Sequence, residues 1–192
     1  MDTETARPAP KLLASCYELV EVLCSAVLAI ALMFTFAVRF AGVNGTSMAP
    51  TLKNSDWLAI TAALPSPKHG DIVIISPRTN AYHEPLVKRI VALEGDTIDI
   101  RDGRVWVNGA MTDEPYLPPD VRTEPAPWGE QSVELPALVP AGYVFVMGDN
   151  RGHSADSRFS VVGFIREDDI LGRVLFRLYS KDPDERFHFK VK

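Results

Sequence analysis

A chain of 192 residues, 46% hydrophobic and 23% charged with a formal net charge of −5, has room for one domain of ordinary size plus an appendage, and for no second large domain. The acidic balance, with no basic run against it, argues against nucleic acid as the main partner, because phosphate binding concentrates Lys and Arg. Both cysteines, Cys16 and Cys24, lie in or just before a hydrophobic segment, so the domain beyond it holds no disulfide; the four scattered histidines, His69, His83, His153 and His188, match no metal-ligand spacing, and neither a metal nor a cofactor is expected.

Residues 1 to about 15 are polar, contain Pro8 and Pro10, and read as a disordered tail. Val22 to Val38 carries no charge, and Leu19 and Val20 extend its apolar character toward the ~17 to 25 residues that span a bilayer. The expected organisation is a tail over 1–16, one transmembrane helix over 17–39 and a domain over 40–192. A cleaved signal peptide would begin with basic residues, whereas this start mixes Asp2, Glu4, Arg7, Lys11 and Glu18. Leu13-Ala14-Ser15-Cys16 has the look of a lipoprotein processing site, but no apolar segment precedes it. A buried core helix would need a comparable hydrophobic partner, and the chain offers none. Basic residues leave the orientation open, since Arg7 and Lys11 on one side balance Arg39 and Lys53 on the other.

After this segment, short apolar runs separated by Gly, Pro, Asn and Asp signal an all-β domain. Trp57 to Ile60, Ile72 to Ile75 and Leu86 to Leu93 are expected strands, the last apolar on both faces and so buried on both. Thr97 to Arg101 and Arg104 to Val107 form a hairpin about Asp102-Gly103, which supplies the positive φ angles of a tight turn, and Asn108-Gly109 closes the unit. From Thr112 to about Pro140 the chain is rich in Pro, Glu and Asp, with Tyr116 and Trp128 as isolated aromatics; it reads as a surface insertion. Tyr143 to Met147 and Ile170 to Tyr179 complete the strands, and there is no internal repeat.

Three stretches carry candidate chemistry. Gly45-Thr46-Ser47-Met48-Ala49-Pro50-Thr51-Leu52 offers a serine on a small-residue turn. A serine hydroxyl is weak at neutral pH and needs a base within hydrogen-bond reach. Lys88 and Arg89 lie in the apolar run from Leu86 to Leu93, and alternation does not say which faces the core. Arginine keeps its proton in a protein, whereas burial lowers the pKa of a lysine, so Lys88 is the candidate base and Arg89 needs a carboxylate. Asp149 and Asp156 in Met147 to Arg158 offer one. His153 in the same stretch keeps a Ser-His-Asp arrangement open, although it sits in a polar turn. Small residues before Ser47 let a peptide backbone approach, as in strand addition; Asn44, Gly45 and Met48 around the serine and Leu86 and Val87 before the lysine are the expected substrate-binding set. The Ser47 backbone N–H is the natural first oxyanion donor.

Taken together, Ser47-Met48-Ala49-Pro50-Thr51-Leu52, Lys88-Arg89 with Gly95-Asp96, Gly148-Asp149-Asn150-Arg151 with Ser154 and Asp156-Ser157-Arg158, and Gly70-Asp71-Ile72-Val73 resemble, in order, the boxes of type I signal peptidases. These are membrane-bound serine proteases that remove signal peptides from exported proteins. The resemblance runs from Val22 to Tyr179 and implies a mostly β fold: a β catalytic core with a small β or loop insertion over about 108–140, preceded by one transmembrane helix. It implies Ser47 as nucleophile, Lys88 as general base, Ser154 as the group that hydrogen-bonds and orients the lysine amine, and Arg89 with Asp149 and Asp156 with Arg158 as braces. Some members carry a serine two residues before the nucleophile as second oxyanion donor; here that position is Gly45, as in the single-helix members. The resemblance further implies a cytoplasmic N-terminus, residues 40–192 outside, preprotein substrates with small residues at −1 and −3, the lipid bilayer as a partner, no nucleic acid, and a monomer. Two other classes stand beside it. A soluble self-cleaving regulator would carry a DNA-binding helical domain in place of the membrane span, and an inert binding module of the same fold would be expected to lose Ser47 or Lys88.

Overall fold

Lys11–Phe36 forms one 26-residue helix, α1, in the computed structural model, which describes residues 11–36, 39–61, 66–78, 83–125 and 132–182. At 1.5 Å per residue it extends ~39 Å, enough for a hydrocarbon layer of ~30 Å. Its window Ser15–Leu32 has mean hydropathy 1.8 and is 0% buried. The helix begins earlier than expected: Lys11, Leu12, Leu13 and Ala14 are strong helix formers, so 11–16 is helix and not tail. It also ends earlier, since Arg39 already belongs to a strand. The tail over residues 1–10, Trp128 and His188 lie outside the described residues.

Residues 39–192 form a separate unit. Its strands are β1 (Arg39–Gly42), β2 (Trp57–Thr61), β3 (Ile72–Ile75), β4 (Leu86–Ala92), β5 (Thr97–Arg101), β6 (Arg104–Val107), β7 (Ala110–Met111), β8 (Ala137–Leu138), β9 (Tyr143–Met147), β10 (Ile165–Arg166) and β11 (Ile170–Tyr179). Seven of them make an antiparallel sheet in the order β1-β2-β11-β3-β4-β9-β10, and four make a second sheet, β7-β6-β5-β8. The mostly β fold behind one apolar helix is as the sequence implied.

Alternation explains why the larger sheet is buried on both faces. Val73 and Ile75 of β3 enter one apolar cluster with Ile90, Val144 and Val146, while Ile72 and Ile74 enter another with Met48, Leu52 and Leu58. A third cluster packs the two sheets together through Val91, Phe145 and Met147 on one side and Ile98, Ile100 and Val105 on the other. Asp102 and Gly103, with φ of 56° and 75°, make the expected tight turn.

Two expectations need correction. Asn108-Gly109 does not close the hairpin but makes a second turn into β7. The smaller sheet starts at Thr97, and β5 pairs only with β6 and β8 among the described strands. Nor is residues 112–125 merely a surface loop: Thr123 is buried, and the Glu114 side chain is 6% exposed.

Candidate active site

Ser47 sits on a hydrogen-bonded turn whose register is set from below. Met48 and Leu52, one turn apart, are buried in the cluster beneath it, and full burial of such a side chain stabilises by about 1.5–3 kcal/mol. The Ala49 N–H donates to the Thr46 carbonyl and the Leu52 N–H to the Met48 carbonyl. Val43 and Asp56 close the base of the loop through Val43 N–H to Asp56 O at 2.8 Å, and Arg177 of β11 reaches Asp56 Oδ2 and the Thr51 carbonyl. These anchors fix the turn and leave Ser47 at the rim, half-buried.

Lys88 approaches from β4. It is 2% exposed and Arg89 is 3% exposed, so both basic residues of the strand are buried, on opposite faces. Lys88 Nζ lies 2.8 Å from Ser47 Oγ, across 41 residues of sequence. Burial lowers the Lys88 pKa to about 8; Asp156 opposes this, Arg158 adds to it and Asp149 opposes it. Roughly a tenth of the side chain is therefore neutral amine at pH 7 and about half near pH 8, and that form can accept a proton from the serine hydroxyl.

The stretch from Met147 to Arg158 surrounds this pair. Asp149 receives Arg89 Nε at 2.9 Å and Nη2 at 2.7 Å, a two-point pair, and also accepts from Thr51 Oγ1 at 2.5 Å. One carboxylate thereby joins the strand of the lysine to the turn of the serine. Arg158 Nε and Nη2 grip Asp156 at 2.8 and 2.9 Å, and Asp156 Oδ2 also accepts the Gly148 N–H. Asn150 closes the assembly: its N–H donates to the Ser47 carbonyl at 2.9 Å and its Nδ2 to the Thr46 carbonyl at 3.2 Å. Gly148 has to be glycine, since a Cβ there would lie 2.2 Å from Ser154 Oγ and 2.4 Å from the Ser47 carbonyl oxygen.

Ser154 departs from expectation. It is buried, but its hydroxyl makes no hydrogen bond among the described residues; it packs against the Gly148 backbone, and the expected bond to the lysine amine is not formed here. His153 is exposed, while the Ser47 hydroxyl is engaged by Lys88. A cleft of about 430 Å³ opens beside the pair, lined by Ser47, Lys88 and the expected Asn44, Met48, Leu86 and Val87. Gly45 is not among its lining residues; its φ is 101° and its N–H donates to Asn54 Oδ1 at 3.0 Å. The Ser47 N–H, by contrast, is not spent on any backbone acceptor among the described residues.

Sequence reasoning missed Glu114, Tyr116 and Arg151, which meet beside the Asp149 brace. Arg151 lies within the Gly148-Asp149-Asn150-Arg151 box with no role that its residue type alone assigns, and Glu114, 37 residues away in a proline-rich segment, gives no signal that the two pair. Among the described residues, no group of three or more His, Cys, Asp or Glu could hold a metal.

Residues 16–179 match the family described as signal peptidase, peptidase S26. The chain belongs to this family. Signal peptidase I T of Bacillus subtilis is 34% identical over 179 residues, covering 91% of this chain and 91% of its own. Probable signal peptidase I-2 of Synechocystis is 32% identical, covering 84% of this chain and 72% of its own. Signal peptidase IB of Staphylococcus aureus is 31% identical, covering 84% and 90%. A solved signal peptidase I from Enterococcus faecalis aligns at 28% identity with a TM-score of 0.46, covering 58% of this chain and 98% of its own. This signal peptidase is thus an enzyme of the serine peptidase class, with one N-terminal apolar helix suited to membrane anchoring.

Proposed function

We propose that the chain is a membrane-anchored endopeptidase that removes N-terminal signal peptides from exported preproteins by acyl transfer through a Ser47–Lys88 dyad. The observation that carries the reading is the 2.8 Å approach of a buried lysine amine to a serine hydroxyl at the edge of an apolar cleft. Neutral Lys88 takes the Ser47 proton as Oγ attacks the scissile carbonyl carbon, and the Ser47 N–H stabilises the oxygen that becomes negative. The lysine then gives its proton to the leaving amine as the C–N bond breaks, leaving an acyl-serine. A water, deprotonated by the same amine, releases the acid and restores the enzyme.

Substrate geometry supports strand addition. β4 pairs with β3 over Leu86 to Arg89, but β9 pairs with β4 only from Arg89 onward, so the other edge of Leu86 to Lys88 has no strand against it among the described residues. An extended peptide laid on that edge runs past Lys88 toward Ser47, with Asn44 on the facing wall of the cleft. The restricted, largely apolar lining fits small side chains at −1 and −3. We assign the N-terminus to the cytoplasmic side and residues 40–192 to the outside.

The test is incubation of the full-length protein with a precursor bearing an Ala-x-Ala site, followed by mass analysis. Cleavage after that site by wild type and none by Ser47→Ala supports the reading. An intact precursor with the wild-type chain would reduce the protein to a binding module.

A further inference from the structure

The nucleophile and its base are carried by different elements, so their 2.8 Å separation depends on whatever clips the serine turn to the rest of the domain. That clip is the turn at residues 148–151. It holds the Ser47 and Thr46 carbonyls through Asn150 and the Thr51 hydroxyl through Asp149. The clip is itself secured by Arg151, which is 1% exposed and donates from Nε to the Gly148 carbonyl at 3.1 Å.

A buried guanidinium needs a carboxylate, and Asp149 is already occupied by Arg89 and Thr51. The carboxylate comes from the insertion. Glu114 accepts Arg151 Nη2 at 2.5 Å and Nη1 at 3.1 Å, and Thr123 Oγ1 accepts Nη1 at 2.7 Å. Glu114 Oε1 also accepts the Tyr116 hydroxyl at 2.8 Å, and the Tyr116 ring lies 3.8 Å from the Arg89 guanidinium carbon, over its face. Burial, and then the adjacent Glu114 carboxylate, push the Tyr116 phenol up, so its hydroxyl stays a donor. Two arginines and two carboxylates are thereby balanced in one buried cluster, in which Glu114 holds Arg151 directly and meets Arg89 through Tyr116.

We propose that Glu114 is a positioning residue for the reaction: through Arg151 and Tyr116, the segment 114–123 acts as a strap that holds the 148–151 turn, and with it Ser47, in register with Lys88. The inference rests on the Ser47–Lys88 reading and gives the insertion a role in turnover. Its signature is a loss in kcat with KM preserved, because none of the strap residues lines the cleft where substrate binds.

The experiment uses the full-length chain in detergent micelles with a peptide carrying an Ala-x-Ala site, at a temperature well below each variant's melting transition. Glu114→Gln is expected to lower kcat about 10- to 100-fold, the scale set by a misplacement near 1 Å, with KM within about twofold. Tyr116→Phe, which removes one hydroxyl and keeps the ring over Arg89, should lower kcat severalfold in the same manner. Asp113→Asn, on an exposed neighbour, should match wild type. A folded Glu114→Gln with wild-type kcat, whatever its melting temperature, would reduce the strap to a purely structural tie and overturn the proposal. If Glu114→Gln does not fold, Tyr116→Phe decides, and an unchanged kcat there overturns it equally. Ser47→Ala separates the two levels: an inactive Ser47→Ala beside a fully active Glu114→Gln defeats the strap alone, whereas an active Ser47→Ala defeats the dyad and the strap with it.

Discussion

A lysine held at 2% exposure, whose one side-chain hydrogen bond among the described residues goes to a serine, weakens the fold it sits in. Its folded pKa of about 8 lies below the ordinary 10.5, so between those values the unfolded chain holds a proton that the folded chain has released. Stability therefore rises with pH across that window, and the full penalty, on the order of 3 kcal/mol, is present below pH 8. Lys88→Met should abolish cleavage and raise the melting temperature at pH 7, with the gain shrinking toward pH 10.5; thermal unfolding of both proteins across that range checks it. His153→Ala should keep most of the activity, because that side chain is exposed and Lys88 already engages the nucleophile. At this scale the sequence was readable where chemistry discriminates. Only Lys88 of the Lys88-Arg89 pair can lose a proton, although both side chains are buried. Ser154 shows the limit, since the resemblance names a partner for its hydroxyl and only the packing of the 148–158 stretch decides whether that bond forms.

Among elements, β4 and the turn at 148–151 carry the site between them. Asp149→Ala would take from buried Arg89 the carboxylate it grips at two points and free Thr51 from the same group; loss of one member of a buried pair costs about 3–5 kcal/mol, readable as a lowered denaturant midpoint. An unchanged midpoint with lost turnover would assign Asp149 a chemical role. Gly148→Ala tests packing more sharply: a Cβ 2.4 Å from the Ser47 carbonyl oxygen and 2.2 Å from Ser154 Oγ must displace the serine turn, so kcat should fall while the fold is retained. Strands with their own β-branched runs and turn residues, such as β3 and the β5–β6 hairpin, could be read directly. β1, β8 and β10 are two to four residues long and exist through pairing with strands distant in sequence, which no local pattern reports. The prolines of the insertion predicted irregular backbone, but they said nothing of Glu114 and Tyr116 reaching back to Arg151 and Arg89.

At the scale of the whole molecule, the apolar helix and residues 39–192 are separate units, and the proposed reaction uses only residues of the second. A chain lacking residues 1–38 should therefore still cleave a soluble peptide and lose most of its activity on a membrane-inserted precursor; equal loss on both substrates would mean that the helix supports the fold of the domain. The claim that joins all three scales is that a buried, neutral lysine drives the serine. It is tested most directly by the pH dependence of kcat/KM for the full-length enzyme in detergent. The ascending limb should report the free-enzyme base, with its midpoint near the lowered Lys88 value of about 8. A midpoint near 10.5, that of an ordinary exposed lysine, or one near ~6.5 that disappears in His153→Ala, would contradict it.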